Sequence, residues 1–353
     1  MLTLGIETSC DETSVSVTEE KKVLSNIVSS SVRLHKRYGG VVPEIASRSH
    51  VEYILEVFKT ALKESHRSLK DIKLIAVTNG PGLVGALLTG ISLGKSLSYC
   101  LKVPLIGVNH VLAHLYSAFL NEDETLSFPF VGLVVSGGHT ALFLCGKNYR
   151  QKLLGQTLDD ASGEAFDKVA RILRLGYPGG PVIERRARLA KEKDSVKFPK
   201  TFLGKGSLDF SFSGIKTAVL YYVRDRVVST SYIVHSTSYE MGSAEKPLIN
   251  DICYAFQENV FNTLIEKTFL AARIHRVKNI VVGGGVAANT RLREKFGEAS
   301  GFSGNVKVYF PKKEYCMDNA AMVGVLGEEL YKRGKRSGLY LSAEPNLEVV
   351  NVK

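Results

Sequence analysis

His110 and His114 stand four residues apart. On a helix that spacing puts two imidazoles on one face about one turn apart, which supplies two nitrogen ligands to zinc or a transition metal. Two histidines need a third donor. The metallopeptidase form of the motif, HExxH, places a general base directly after the first histidine. Here that position is Val111, so the pair reads as a metal-binding element without a hydrolytic base.

Other residues suit anions. Ser136-Gly137-Gly138-His139-Thr140 follows an apolar run; its two glycines allow close backbone approach, so free N–H groups can face phosphate oxygens. Gly283-Gly284-Gly285, before a helix start, offers a second such turn, and Asp11-Glu12 lies in a third polar one. The spacing matches neither the GK[ST] phosphate loop nor the dinucleotide-binding GxGxxG. Three polar turns after strands instead describe a nucleotide cleft between two lobes. Glu164 and Asp167 lie on a predicted helix that leads to the rigid turn Tyr177-Pro178-Gly179-Gly180-Pro181, and the alternation over 208–214 predicts a strand.

These residues need strands that end in turns and helices that begin there. Residues 2–6 and 14–18 are short β-branched runs flanking Glu7-Thr8-Ser9-Cys10-Asp11-Glu12-Thr13, a strand, a polar turn and a returning strand. The pattern recurs over 130–145, so two related hairpins each open one half of an internally duplicated chain. Strands at 74–78, 104–108 and 279–282 alternate with helical spacing over 83–100, from 287 onward and over 318–333. The segment 228–248 has loop composition and reads as an exposed insertion, and 191–205 is similarly irregular.

A chain of 353 residues, 44% hydrophobic and 23% charged, is long enough for two packed lobes. No stretch approaches the roughly 20 apolar residues of a membrane span, and the first residues lack the pattern of a signal peptide, which predicts a cytoplasmic protein with no membrane contact. Five scattered cysteines without CxxC spacing argue against a disulfide framework or zinc ribbon. The net charge of +11 favours a polyanionic partner, and Arg185, Arg186, Arg188 and Lys191, with Lys332, Arg333, Lys335 and Arg336, form clusters suited to phosphates.

Taken in order, Gly5-Ile6-Glu7-Thr8-Ser9-Cys10-Asp11-Glu12-Thr13, Gly39-Gly40-Val41-Val42-Pro43-Glu44, Asn79-Gly80-Pro81-Gly82-Leu83, the His110/His114 pair, Ser136-Gly137-Gly138-His139-Thr140, Gly163-Glu164-Ala165-Phe166-Asp167-Lys168 and Tyr315-Cys316-Met317-Asp318-Asn319 resemble the TsaD family, tRNA threonylcarbamoyladenosine transferases of bacteria. The resemblance implies an α/β, two-lobed actin-like, Hsp70-like and sugar-kinase-like ATPase fold with duplicated mixed-sheet subdomains. It divides the chain into 1–108 plus about 325–353, and 109–324. It implies transfer of a threonylcarbamoyl group from threonylcarbamoyl-adenylate to N6 of the adenosine beside the anticodon, in tRNAs reading codons that begin with A, with release of AMP. The family's metal ligands fall on His110, His114 and Asp318, for one Fe2+, with zinc suiting the same donors. Its substrate-binding positions fall on Val134, Val135, Ser136, Gly137, Gly138, Asp167, Gly180 and Asn289, and Asp11 or Glu12 would position the attacking amine. The partners it implies are tRNA, the adenylate, a paralogue lacking the metal site (TsaB-like) and a small ATPase (TsaE-like). A metal-dependent glycoprotein endopeptidase, a sugar-kinase-like ATPase and a silent scaffold are the competing readings.

Overall fold

The computed structural model describes residues 1–120, 127–147, 150–200, 203–204, 206–226, 245–304 and 306–349. The chain opens with an antiparallel meander of β1 (Leu2–Glu7), β2 (Glu12–Glu19) and β3 (Lys22–Ser30). A short helix α1 (Val32–His35) and the long α2 (Pro43–Glu64) then lead to β4 (Leu74–Gly80), α3 (Val84–Leu101) and β5 (Leu105–Asn109). Pro43 starts α2 where its fixed φ suits a helix and its missing N–H is not needed. Both β4 and β5 run parallel to β1, in the order β3-β2-β1-β4-β5.

The second lobe follows α4 (His110–Tyr116). It contains β6 (Phe130–Val135), β7 (Thr140–Cys145), β8 (Gln151–Gln156), α5 (Ser162–Ile172), α6 (Gly179–Ala187), α7 (Ser213–Arg226), α8 (Glu245–Ile274), β9 (Asn279–Gly283), α9 (Thr290–Phe302) and β10 (Lys307–Tyr309). Its sheet order is β10-β9-β6-β7-β8, with β6, β7 and β8 antiparallel and β9 and β10 parallel to β6. Strand for strand this is the first sheet again, so the repeated hairpins signalled a repeated lobe. The expected two-lobed α/β architecture is present.

Both faces of the first sheet are covered, which is why β1 and β4 are continuously buried rather than alternating. On one face, Val57, Phe58, Leu87 and Ile91 of α2 and α3 pack against Ile6, Val15 and Val77. On the other lies α10 (Ala320–Lys332), against β1, β2, β4 and β5. A central core joins the lobes, with Val108, Val134 and Val281 of the two sheets meeting Leu115 of α4 and Met322 and Val323 of α10. Glycines allow α10 to lie this close: a Cβ on Gly327 would overlap the Ala76 side chain.

Several expectations change. Residues 208–214 do not form a strand; only Phe210 makes a bridge, to Thr157. The Asp159 carboxylate accepts from Phe212 N and the Ser213 hydroxyl and also meets the Ser211 hydroxyl, so side-chain bonds replace a ladder. Most of the 228–248 segment lies outside the described residues, and its last residues belong to α8, which starts at Glu245. The expected boundary at 324/325 falls inside α10. Finally, α3, at 18 residues, is long and apolar enough by length and composition to cross a membrane; here it is packed on β4 and α2 through Ala86, Leu87, Gly90 and Ile91.

Candidate metal centre and interlobe cleft

Two helix starts build the metal centre, and an asparagine fixes each one. Asn109 caps α4, its Oδ1 accepting from Leu112 N at 3.1 Å, which sets His110 and His114 one above the other on the helix. Asn319 caps α10, accepting from Met322 N at 3.1 Å, and its amide donates to the Tyr315 and Met317 carbonyls, which fixes the turn carrying Asp318. Ala320 N and Ala321 N donate to Ser14 Oγ and Asn26 Oδ1, tying this helix start to β2 and β3.

The result brings His114 Nε2 to 3.2 Å and His110 Nε2 to 3.7 Å from Asp318 Oδ1. One donor atom from each of the three lies within 4.8 Å of the others. Nδ1 of the fully buried His114 has no hydrogen-bond partner, and its Nε2 has only the Asp318 carboxylate beside it. A cation between the three donors would be bound by the Nε2 lone pair that faces Asp318 and would offset the burial of these polar groups. Two imidazoles and a carboxylate with one open side are a donor set for zinc or ferrous iron, so the residues present fit a metal.

Behind His110 stands Glu7, the last residue of β1 and fully buried. Its Oε2 lies 3.1 Å from His110 Nδ1 and accepts from Thr78 Oγ1 at 2.6 Å, while Oε1 accepts from Ser9 N at 2.6 Å. A carboxylate on Nδ1 orients the ring so that Nε2 faces the Asp318 side, the usual outer support of a ligating histidine. Burial works against charge on His110, but Asp318 and Glu7 outweigh it and raise its pKa to about 9. Burial likewise opposes charge on Asp318, yet the histidines hold its carboxyl well below the ordinary range. Across the centre His139, with its ring 6.2 Å from that of His110, is driven down to about 4 by burial and by the His110 and His114 charges.

The centre opens into a cleft of about 670 Å³ between the lobes, a size suited to a nucleotide-sized ligand. Its walls include Asp11, Glu12, His110, Ser136, Gly137, Gly138, Asp167, Gly180, Asn289 and Asp318. Those residues are scattered along the chain and converge because most lie where a strand ends or a helix starts, with Asp167 added from the middle of α5. Nothing lies within 4 Å of a Cβ placed on Gly137, Gly138 or Gly180, so their backbones face open space. Asp167 Oδ1 accepts from Gly179 N at 2.7 Å and locks the Gly179-Gly180 turn onto α5. Asn289 caps α9 through Leu292 N and donates to Gln257 Oε1. Val134 and Val135 are different: both side chains are buried in the core and neither lines the cleft, because the last residues of β6 lie between packed layers and only the turn after them is open. His114 sits behind the wall, reached through Asp318.

Glu12 accepts from Ser30 Oγ at 3.1 Å and lies beside Asp11. Burial, with the Asp11 and Asp318 charges, pushes its carboxyl well above the usual range. Sequence reasoning missed Glu7, Asn109 and Asn319 as individual contributors. A glutamate closing an otherwise apolar strand and asparagines at helix starts were the available signals.

Fold and site together define a duplicated, two-lobed actin-like protein whose interlobe cleft joins glycine turns to a His/His/Asp group. A profile of the TsaD family, tRNA N6-adenosine threonylcarbamoyltransferase, matches residues 22–325. The chain is 50% identical over 348 residues to the tRNA N6-adenosine threonylcarbamoyltransferase of Dictyoglomus turgidum, covering 98% of each. It is 45% identical over 352 residues to that of Kosmotoga olearia, covering 100% of each. Among solved structures, HypF of T. kodakarensis superposes with a TM-score of 0.60 at 15% identity over 94% of this chain and 48% of that one. The chain thus spans about half the length of that structure, and the likeness shows the fold alone. The chain belongs to the TsaD family of tRNA N6-adenosine threonylcarbamoyltransferases.

Proposed function

We propose that this cleft transfers the threonylcarbamoyl group of threonylcarbamoyl-adenylate to N6 of the adenosine beside the anticodon in tRNAs that read codons beginning with A. The observation that carries the reading is the convergence of His110, His114 and Asp318 into one donor group at the end of an anion-suited cleft in a chain of this family. In the reaction the N6 amine attacks the carbamoyl carbon, the bond from that carbon to the phosphate oxygen breaks, AMP leaves with the electron pair, and the amine gives up a proton.

A divalent ion on His110, His114 and Asp318, Fe2+ with zinc as the alternative, would supply Lewis-acid polarisation and charge neutralisation. The backbone of Gly137 and Gly138, which faces open space, would hold the phosphate and developing negative charge. Asp167 and Asn289 act on position, by fixing the Gly179-Gly180 turn and the α9 start that face the ligand. Asp11 and Glu12, side by side on the cleft wall, would position the attacking amine. A metal-site-lacking paralogue and a small ATPase belong to the same proposal; exposed Val51 and Leu55 of α2 beside Val84 and Leu88 of α3 give the first lobe an apolar outer face for the paralogue.

The test supplies radiolabelled threonine, bicarbonate, ATP, the adenylate-forming enzyme, the partner proteins and unmodified tRNA, then separates the nucleosides. Labelled threonylcarbamoyladenosine should form and fall at least 100-fold in His110→Ala and Asp318→Ala, with bound metal lost in parallel. Continued ATP hydrolysis with no labelled nucleoside would refute the proposal.

A further inference from the structure

The cleft mouth carries charge that the transfer chemistry does not use. On the first lobe α1 and the single 3-10 turn Lys36–Tyr38 present Arg33, Lys36 and Arg37 to solvent. On the second, exposed Arg171 of α5 reaches across the mouth and its Nη2 donates to the Gly39 carbonyl. None of these four cations forms an ion pair with a described carboxylate, whereas Arg48 and Lys168 nearby are paired with Glu44 and with Asp160 and Glu164. Val32, Gly39, Gly40 and Val41 line the cleft itself, so the cations sit on its rim. Among them Tyr38 is 51% exposed, and the Arg37 guanidinium lies 4.7 Å from its ring centroid. Unpaired cations beside a solvent-facing aromatic ring match single-stranded RNA, whose phosphates need neutralising and whose unstacked bases need a flat partner.

The rim is also held rigid and tied to the chemistry. His35 is fully buried, with Nε2 3.0 Å from Ser31 Oγ and Nδ1 accepting from Val42 N at 3.2 Å. Ser31 in turn donates to the Asp11 carbonyl through both its N–H and its hydroxyl. These hydrogen bonds tie the rim to the turn that carries Asp11 and Glu12.

We infer that the 32–41 segment, closed by Arg171, is the surface that holds the unpaired RNA loop around the target adenosine: Arg33, Lys36 and Arg37 contact phosphates, and Tyr38 stacks on a base flanking the one that enters the cleft. This rests on the proposed tRNA substrate. The test measures binding of unmodified tRNA by fluorescence anisotropy across a salt series, using the full chain with its partner proteins. Five proteins are compared: the wild type, a triple Arg33→Ala/Lys36→Ala/Arg37→Ala variant, Tyr38→Ala, Tyr38→Phe as its conservative control, and a triple Lys59→Ala/Lys63→Ala/Lys70→Ala variant far along and beyond α2.

The rim triple should bind at least tenfold more weakly and lower the log–log salt slope by about 2, from about 0.7 per phosphate contact on single strands. Tyr38→Ala should weaken binding on the order of tenfold, Tyr38→Phe should restore it, and the lysine control should match the wild type. If the wild type binds tRNA and the rim variants bind equally well, this surface is wrong while the transferase reading stands. Should the wild type neither bind tRNA nor form product, both fail together.

Discussion

Gly5→Ala tests how the fold sets the metal centre from a distance. Gly5 lies in the middle of β1, facing the start of α10. A Cβ there would meet Ser16 Oγ at 2.6 Å and Gly324 N at 2.9 Å, with the Ala320 carbonyl oxygen nearer still. Ser16 can rotate, but the two backbone groups belong to α10 and cannot. Opening them to ordinary contact, 3.4 Å or beyond, requires the helix start to retreat by about 1 Å, since a close-packed interior has no slack to absorb a methyl. Asp318 is two residues before Ala320, so it moves with the helix, while His110 and His114 stay with α4. Ligand distances tolerate about 0.2 Å, a fifth of that displacement. We therefore expect Gly5→Ala to lose metal affinity by at least tenfold and to lose about 1–3 kcal/mol of stability from overpacking. Metal content by mass spectrometry, competition against a chromogenic chelator and thermal melting would read both. A Gly5→Ala protein that binds metal with wild-type affinity would refute the coupling between strand and centre, even if it melted earlier.

Further predictions follow from single contacts. Glu7→Gln keeps the shape and the bond from Ser9 N but removes the charge behind His110, so metal affinity should fall about 10- to 100-fold in chelator competition; an unchanged affinity would mean that Glu7 does not support the ligand. Gly284→Ala introduces a side chain at φ +97 and directs it at the Val135 carbonyl, so denaturant unfolding should show a loss of about 1–3 kcal/mol. Glu258 meets Arg291 at 2.9 Å and Lys295 at 2.6 Å; burial opposes its charge, but these cations lower its pKa. A depressed folded pKa contributes stability above the unfolded value near 4.5 and loses it as pH falls through the folded one. Glu258→Gln should therefore melt earlier than the wild type at pH 7, with the gap closing below about pH 4; a constant gap across that range would exclude the ion cluster as its cause.

Short-range patterns in the chain were enough to specify the local pieces. Alternation and β-branched runs placed β1, β4, β6 and β9; the HxxxH spacing put two imidazoles on one face of α4; and the repeated hairpins announced a repeated lobe. Each of those signals is carried by residues within a turn or two of one another. The ordered motifs also marked the family, which the profile and the relatives show. Where side-chain bonds overrode the alternation, as Asp159 does over 208–214, the local reading failed. Contacts between residues hundreds of positions apart come from packing alone: α10 crosses back onto the first sheet and brings Asp318 to 3.2 Å from His114, separated by 204 positions in the numbering. Packing also sets Glu7 behind His110, turns Val134 and Val135 to the core while the turn after them faces the cleft, and puts Arg33, Lys36, Arg37 and Arg171, which pair with no described carboxylate, on the rim of the cleft. Spacing can predict a face of a helix, but which surfaces meet is set by close packing of whole layers around glycines such as Gly5 and Gly327.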